Sequence, residues 1–505
     1  MKTEQDVIVT TKQGKLRGTK EAAWSSFLGI PYAKPPVGAL RWREPEAPAP
    51  WTGVRDACTL GSPALQAPSQ SIPGGDPAER GVFDGGNEDC LYLNVWTPEC
   101  REDAKLPVFV WIHGGAFCCG SGGGKNASPA PFCRRGIIFV TFNYRLGLMG
   151  YFVHPELSAE SPHGVSGNYA HFDQIAALRW VHENIAAFGG DPEKVTIGGC
   201  SAGAGSTQIL SCSPLAEGLF ARAIIESSVS IDGGKYPEED KLQTMKEMEP
   251  RGVEHMERVG CHSIEEMRAL SYEELIDFEE CHFRRKYHWG TTLGVCEDGY
   301  LLPRHYPRVM GVAENRNIPY LVGCTHDEGG GHVLGLTPER FHEKSEAVFR
   351  EACAEYEKLC QVESTEEAVR CMRETHLQLV CGKVFAARSA AAGKAPVYVF
   401  DFRRKSPVNE LALHGYETHF LLGTYRNLPG VTEEDDAVAE TMQEYWCQFI
   451  KTGDPNGEGR PVWSPYAAEH RSVLYLDAPS EVAEDREREN PRMTFAREFL
   501  EQKGQ

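Results

Sequence analysis

The residues best suited to chemistry lie in TIGGCSAGAGS, residues 196–206, where Ser201 is the centre of a G-x-S-x-G pattern. The pattern follows the β-branched run 195–197 and precedes a run of small residues, which predicts a strand, a sharp turn and a helix. At such a turn the central residue has a strained backbone, and its hydroxyl is exposed above the start of the helix. Ser201 is therefore a candidate nucleophile.

Two other interpretations of this stretch have to be weighed. A chain with 51 glycines can contain the pattern by chance, as a glycine-rich loop without chemistry. Cys200 is also a nucleophile type, but it stands one place before the centre, so its side chain is expected to point away from the apex of the turn. We interpret Cys200 as a residue beside the site.

A reacting serine needs a base to take its proton and donors for the negative charge that forms on the carbonyl oxygen. WIHGGAF, residues 111–117, offers such donors, because the pair Gly114 and Gly115 follows a predicted strand and lets the backbone approach a ligand. The alternative for this segment is a plain glycine turn.

The elements that must position these residues are short apolar runs separated by helical patterns. Near-continuous hydrophobicity is typical of strands that are buried on both faces. The runs are residues 106–114, 136–145, 194–199, 222–228, 318–323 and 396–402. Strands that alternate with helices predict an α/β fold with a largely parallel sheet covered on both faces.

The clearest helical pattern lies within residues 173–190. Its apolar residues recur at steps of three or four and mark one face: Ile175, Leu178, Val181, Ile185 and Phe188. The sequence GGDP, residues 189–192, is expected to end this helix and turn the chain into the next strand.

Composition excludes several function classes. A formal net charge of −20 repels phosphate backbones, so nucleic acid is not an expected partner. No apolar run reaches the roughly 18 residues of a membrane span, and the first residues lack the apolar core of a signal peptide. The 17 cysteines form no zinc motif, and Cys261-His262 and Cys281-His282 match no known ligand spacing. Unpaired thiols favour a reducing, cytoplasmic setting, and no metal is expected.

No linker divides the chain, so residues 1–505 are expected to form one elaborated domain. Residues 61–86 are rich in Pro, Gly and Ser and predict a surface loop that acts as a lid. The charged segment 240–285 predicts a helical cap.

Several longer segments resemble the type-B carboxylesterases, the α/β-hydrolase family of bacterial p-nitrobenzyl esterases, liver carboxylesterases and cholinesterases. The segments are FLGIPYAKPPVGALRW (27–42), NEDCLYLNVW (87–96), NYRLGLMGYF (143–152) and EYWCQFIKTGDPN (444–456). The resemblance covers nearly the whole chain and implies the α/β-hydrolase fold.

The resemblance also implies the rest of the site. The catalytic acid falls on Glu328 in GCTHDEGG, and the base falls on His414 in LALHGYE. With Ser201 they give the chain order of this fold. The amides of Gly115, Ala116 and Ala202 are implied as the oxyanion hole, and no cofactor is implied.

The chain departs from the family pattern in ways that bear on specificity. Cys200 stands where relatives usually have glutamate, which removes a negative charge beside the site. GVFDGG, residues 81–86, lacks the tryptophan that binds choline in cholinesterases, so choline esters are poor candidates. Trp289 lies near the family's acyl-pocket loop, and a packing role in the cap is an equal alternative.

Both family disulfides lack one half by this resemblance. Ala64 or Leu65 stands where the mate of Cys90 would be, and Glu266 stands where the mate of Cys261 would be. A substitute pair between Cys58 and Cys90 is left open.

The expected function is hydrolysis of small to medium neutral carboxylic esters through a serine acyl-enzyme. The expected partner is a small-molecule ester, and the oligomeric state is left open. An amidase, a thioesterase or a lactonase shares the same machinery and is an alternative. A non-catalytic binding relative is a further alternative, although Ser201, Glu328 and His414 are all present.

Overall fold

The computed structural model describes residues 5–66, 85–124, 127–228, 242–275, 294–302, 315–328, 336–374, 377–408, 410–486 and 490–503. The chain divides into two units. The first unit comprises residues 1–198, 209–221 and 242–306, and the second comprises residues 199–208, 222–241 and 307–505. The prediction of one elaborated domain stays a prediction.

The first unit is built on a sheet. Its strands are β1 (Gln5–Thr11), β2 (Gly14–Lys20), β3 (Ser25–Pro31), β4 (Val54–Asp56), β5 (Tyr92–Thr97), β6 (Leu106–Ile112), β7 (Ile138–Phe142) and β8 (Gly190–Cys200), whose last two residues belong to the second unit. The order is β1-β2-β3-β5-β7-β6-β8, with β4 beside β2. Pairing is antiparallel along β1-β2-β3-β5-β7, and it is parallel between β6 and β7 and between β2 and β4.

The strands of the second unit are β9 (Arg222–Glu226), β10 (Tyr320–Thr325), β11 (Val397–Phe402), β12 (Ser472–Leu476) and β13 (Glu481–Glu484), in that spatial order. Strands β9 to β12 are parallel, and β13 returns antiparallel at the edge. Every residue of β10 and β11 is buried, as the apolar runs predicted. The carboxyl ends of these parallel strands therefore lie along one edge.

Helices connect the strands. They are α1 (Ala130–Cys133), α2 (Gly147–Tyr151), α3 (Pro155–Glu160), α4 (Tyr169–Asn184), α5 (Ala202–Cys212), α6 (Met245–Arg258), α7 (Ile264–Ala269), α8 (Tyr272–Leu275), α9 (Pro338–Phe349), α10 (Cys353–Cys360), α11 (Thr365–Glu374), α12 (Leu377–Ala391), α13 (Tyr416–Leu421), α14 (Glu433–Thr452) and α15 (Pro491–Lys503). None of the helices in the described ranges is long and apolar enough to span a bilayer.

The predicted helix over residues 175–188 consists of two elements. The α-helix ends at Asn184, and a 3₁₀ turn continues to Phe188 before Gly189, with φ of +88°, ends it. Strand β8 begins at Gly190, earlier than the predicted start at 194. A side chain at Gly190 would lie 2.7 Å from the Ile185 side chain, so only glycine lets the strand begin against the turn.

The described part of the predicted cap, residues 242–275, is helical as expected and forms α6, α7 and α8. Its role as a cap stays a prediction. Most of the predicted lid loop and Trp289 lie outside the described residues.

Candidate active site

Ser201 occupies the turn between β8 and α5. Its φ is +58°, a left-handed conformation that is costly for any residue except glycine. The Ser201 amide donates to the carbonyl of Glu226 at 3.0 Å, and the Ser201 carbonyl accepts from the Gly205 amide at 2.9 Å. The strained strand–turn–helix geometry that the pattern predicted is therefore present.

Glu328 and His414 meet in the second unit. Glu328 follows the end of β10, and its side chain is almost completely buried, at 1% exposure. One carboxylate oxygen, Oε1, contacts Nδ1 of His414, and the other accepts the hydroxyl of Thr325. The Nδ1 contact orients the imidazole. The His414 side chain is 41% exposed.

Asp327 joins the segments that carry these two side chains. Its backbone amide donates to the carbonyl of Ala412 at 3.0 Å, and its carboxylate accepts from the Ala412 amide at 2.9 Å. The two bonds tie the residue before Glu328 to a residue two places before His414. Asp327 is buried, so water competes little for these bonds.

Cys200 is buried and lies behind the turn, and its Sγ is 3.6 Å from Oε1 of Glu417. The hydroxyl of Ser227 donates to the same oxygen. Glu417 belongs to α13, which begins just after His414. A carboxyl group therefore lies next to Cys200, although residue 200 itself lacks the glutamate that relatives usually have.

The carboxyl groups in this region repel one another. Burial, with repulsion from Glu328, raises the pKa of Glu417 to about 7. Burial, with repulsion from Glu417, also raises the pKa of Glu226 well above its ordinary value, while the indole of Trp446 donates to Glu226 at 2.6 Å. Protonated carboxyls thus reduce the negative charge that the buried groups would otherwise carry.

The WIHGGAF segment lies in the first unit, directly after β6. Gly115, Ala116 and Phe117 have φ of +110°, +59° and +59°, and the Gly115 carbonyl accepts from the amides of Cys118 and Cys119. A side chain at Gly115 would lie 2.1 Å from the carbonyl oxygen of Cys119, so the turn requires glycine. The segment is therefore a tight turn that requires glycine, and its role as an oxyanion hole stays a prediction.

The substitute pair of Cys58 and Cys90 is not formed. Neither thiol is in a disulfide, and Cys58 is exposed whereas Cys90 is buried. Sequence patterns did not identify the contact of Asp327 with Ala412, because it is a tertiary hydrogen bond. Glu417 lies in LALHGYE, the segment that carries His414, but its contact with Cys200 likewise exists only in the folded chain.

The model of the carboxylesterase family matches residues 5–495. The chain belongs to the carboxylesterase family. It is 34% identical to the para-nitrobenzyl esterase of Bacillus subtilis, over 97% of this chain and 98% of that protein. It is 31% identical to the human cocaine esterase, over 98% and 92% of the two chains. A Geobacillus stearothermophilus carboxylesterase structure superposes with a TM-score of 0.78 at 30% identity, over 97% of this chain and 99% of that chain.

The family member described here has the α/β-hydrolase fold and hydrolyses carboxylic esters. The predicted family and the predicted fold class are confirmed. The alternative of a non-catalytic relative is wrong. The roles of the individual site residues stay predictions.

Replacing Asp327 by alanine should lower kcat for p-nitrophenyl acetate by about tenfold or more, because small displacements of catalytic groups cost that much. Asp327→Asn should retain most of kcat, since its amide oxygen can still accept from Ala412. Urea unfolding checks that both variants are folded. A folded Asp327→Ala variant with wild-type kcat would contradict the positioning role, and equal losses in both variants would assign the effect to charge instead.

Glu417 should make stability fall as pH rises. Its pKa is higher in the folded protein than in the unfolded chain, so its protonated form stabilises the fold below the ordinary pKa of 4.5, and this stabilisation is lost as pH rises through about 7. Glu417→Gln stays neutral, so its advantage over the wild type in free energy of unfolding should grow by up to about 3 kcal/mol between pH 5 and pH 8. Exposed Glu458→Gln is the control, with no such growth expected, and an equal shift in both variants would refute the assignment.

Proposed function

We propose that this carboxylesterase acts on small to medium neutral esters through an acyl-enzyme on Ser201, with His414 as the base and Glu328 as the orienting acid. The observation that carries the proposal is the contact between the buried carboxylate of Glu328 and Nδ1 of His414. The other ring nitrogen, Nε2, is proposed to be the one that serves the nucleophile. The positive φ of Ser201 supports its assignment as that nucleophile.

In the proposed reaction, Nε2 of His414 takes the proton of the Ser201 hydroxyl as the oxygen attacks the ester carbonyl carbon. The carboxylate of Glu328 stabilises the resulting imidazolium and stays ionised. Collapse of the tetrahedral intermediate breaks the bond to the alcohol, which leaves with the proton from His414. A water molecule then gives a proton to His414 and attacks the acyl-enzyme. The bond to Ser201 breaks, His414 returns the proton to the Ser201 oxygen, and the acid is released.

The amides of Gly115, Ala116 and Ala202 are proposed to bind the oxyanion. None of these three amides donates to another group within the described ranges, so each remains available to a ligand. The turn at Gly115 and the start of α5 at Ala202 are separate pieces of support. Backbone amides held in this way cost no reorganisation when charge develops on the substrate.

The preference for neutral esters rests on Cys200. A thiol at this position removes one fixed negative charge that would attract a cationic alcohol group. The relative named for para-nitrobenzyl esters makes an uncharged aromatic ester a suitable first substrate. A cytoplasmic location is part of the proposal, because a chain with 17 cysteines and no zinc motif fits a reducing compartment.

Ser201→Ala should reduce kcat for a p-nitrobenzyl ester by about a thousandfold or more, because the triad acts as a unit. Cys200→Ala is the matched control one position earlier, and its kcat should stay within about tenfold of the wild type. The reverse pattern, with activity lost in Cys200→Ala and kept in Ser201→Ala, would overturn the assignment. Detection of the acyl group on Ser201 by mass spectrometry gives an independent readout.

Charge preference can be measured with acetylcholine and its neutral carbon analogue, 3,3-dimethylbutyl acetate. The wild type should favour the neutral ester in kcat/KM. Cys200→Glu should shift the ratio toward the cationic ester by roughly fivefold, the effect of about 1 kcal/mol of attraction. A wild-type preference for the cationic ester would contradict the proposal.

An amide, a thioester and a lactone of matched acyl size complete the panel, and faster turnover of any of them would reassign the substrate class.

A further inference from the structure

Three side chains of types that bind zinc lie together on two consecutive helices of the second unit. His342 belongs to α9, and Cys353 and Glu357 belong to α10. One donor atom from each of the three lies within 4.8 Å of the others. Cys353 and Glu357 are four residues apart, so they occupy one face of α10. The proposed ester chemistry uses none of these residues.

Aromatic packing holds the two helices that carry these groups. Phe341, the neighbour of His342, stacks on Tyr356, the neighbour of Glu357, with ring centroids 6.0 Å apart. Tyr356 also packs against Phe349 at 4.1 Å. Phe349 in turn contacts Phe495 of α15 at 5.5 Å. The backbones beneath the three donors are therefore fixed before any ion arrives, which lowers the cost of binding.

The electrostatics of the group favour a cation. Nδ1 of His342 lies 2.7 Å from a carboxylate oxygen of Glu357, and Glu343 and Glu346 stand on the same helix as His342. The negative charge of these carboxylates attracts a cation.

We propose that His342, Cys353 and Glu357 form a binding site for Zn²⁺. Binding would release the thiol proton of Cys353, and the proton of any cationic His342, to solvent. A thiolate and a carboxylate then balance the charge of the ion. Thiolate and imidazole donors select a zinc-type ion over Mg²⁺ or Ca²⁺, which prefer oxygen ligands.

The geometry requires only small movements. Donors around tetrahedral zinc lie about 3.3 to 3.8 Å apart, given metal–ligand distances of about 2.0 to 2.3 Å. The side chains of His342 and Glu357 are 59% and 28% exposed, so both can rotate toward the buried Cys353. Exposure also leaves the fourth position to water. The ion would connect α9 to α10 across the 3₁₀ turn between them.

Equilibrium dialysis of the full-length, chelator-treated and reduced protein against Zn²⁺ tests this site. The wild type should hold one more equivalent of Zn²⁺ than His342→Ala, Cys353→Ser or Glu357→Gln, each of which should weaken this site by at least about tenfold. His470→Ala is the matched control, because exposed His470 pairs with Glu484 at the same 2.7 Å but has no thiol in that pair. Exposed Cys58→Ser controls for zinc held by other thiols.

Co²⁺ provides a second readout, since thiolate ligation gives a charge-transfer band that His342→Ala and Cys353→Ser should lose. Esterase activity without metal should be unchanged in His342→Ala, which shows that this variant is folded. Equal zinc binding by the wild type and His342→Ala would overturn the proposal. A loss of zinc binding in His470→Ala as large as that in His342→Ala would overturn it as well. Wild-type binding by Glu357→Gln would overturn the three-ligand assignment.

Discussion

The left-handed backbone of Ser201 is the constraint on which the rest of the site depends. A non-glycine residue in this conformation costs roughly 1 to 2 kcal/mol, so the surrounding structure has to hold it. The Ser201 amide donates to the carbonyl of Glu226, the last residue of β9, and this hydrogen bond helps to hold the strained conformation. Strands β10 and β11 run parallel to β9, so the segments that follow them emerge at the same edge. Glu328 and His414 approach each other there because the sheet sets where their loops begin.

The buried carboxyl groups around the turn impose a second condition. Glu328 has an imidazole as its partner, whereas Glu226 accepts from the Trp446 indole and Glu417 accepts from the Ser227 hydroxyl. A neutral donor stabilises a carboxylate less than a cation does, so these bonds do not offset burial, which raises the pKa of both groups. Cys200 adds a thiol and no further charge to this region.

Much of the architecture could be predicted from the sequence, because strands buried on both faces leave continuous apolar runs, as β6, β7 and β11 do. The strained turn at Ser201 was predictable from its glycines. Strands such as β1 and β13 escaped prediction, since they carry polar and exposed residues that resemble loops. The contacts of Asp327 with Ala412, and of Cys200 with Glu417, join residues 85 and 217 positions apart. No local pattern encodes such pairs, because they exist only once the sheet has formed.

The unequal exposure of Glu328 and His414 has a kinetic consequence. The carboxylate side of the pair is closed to solvent, so its negative charge acts on the imidazole with little screening. The imidazole itself is open to water at 41% exposure. If the imidazole is protonated between turnovers, it can lose that proton directly to bulk water or buffer. The proposed cycle therefore needs no chain of buried groups to carry protons to solvent. The neutral base is restored by diffusion of water or buffer to the ring.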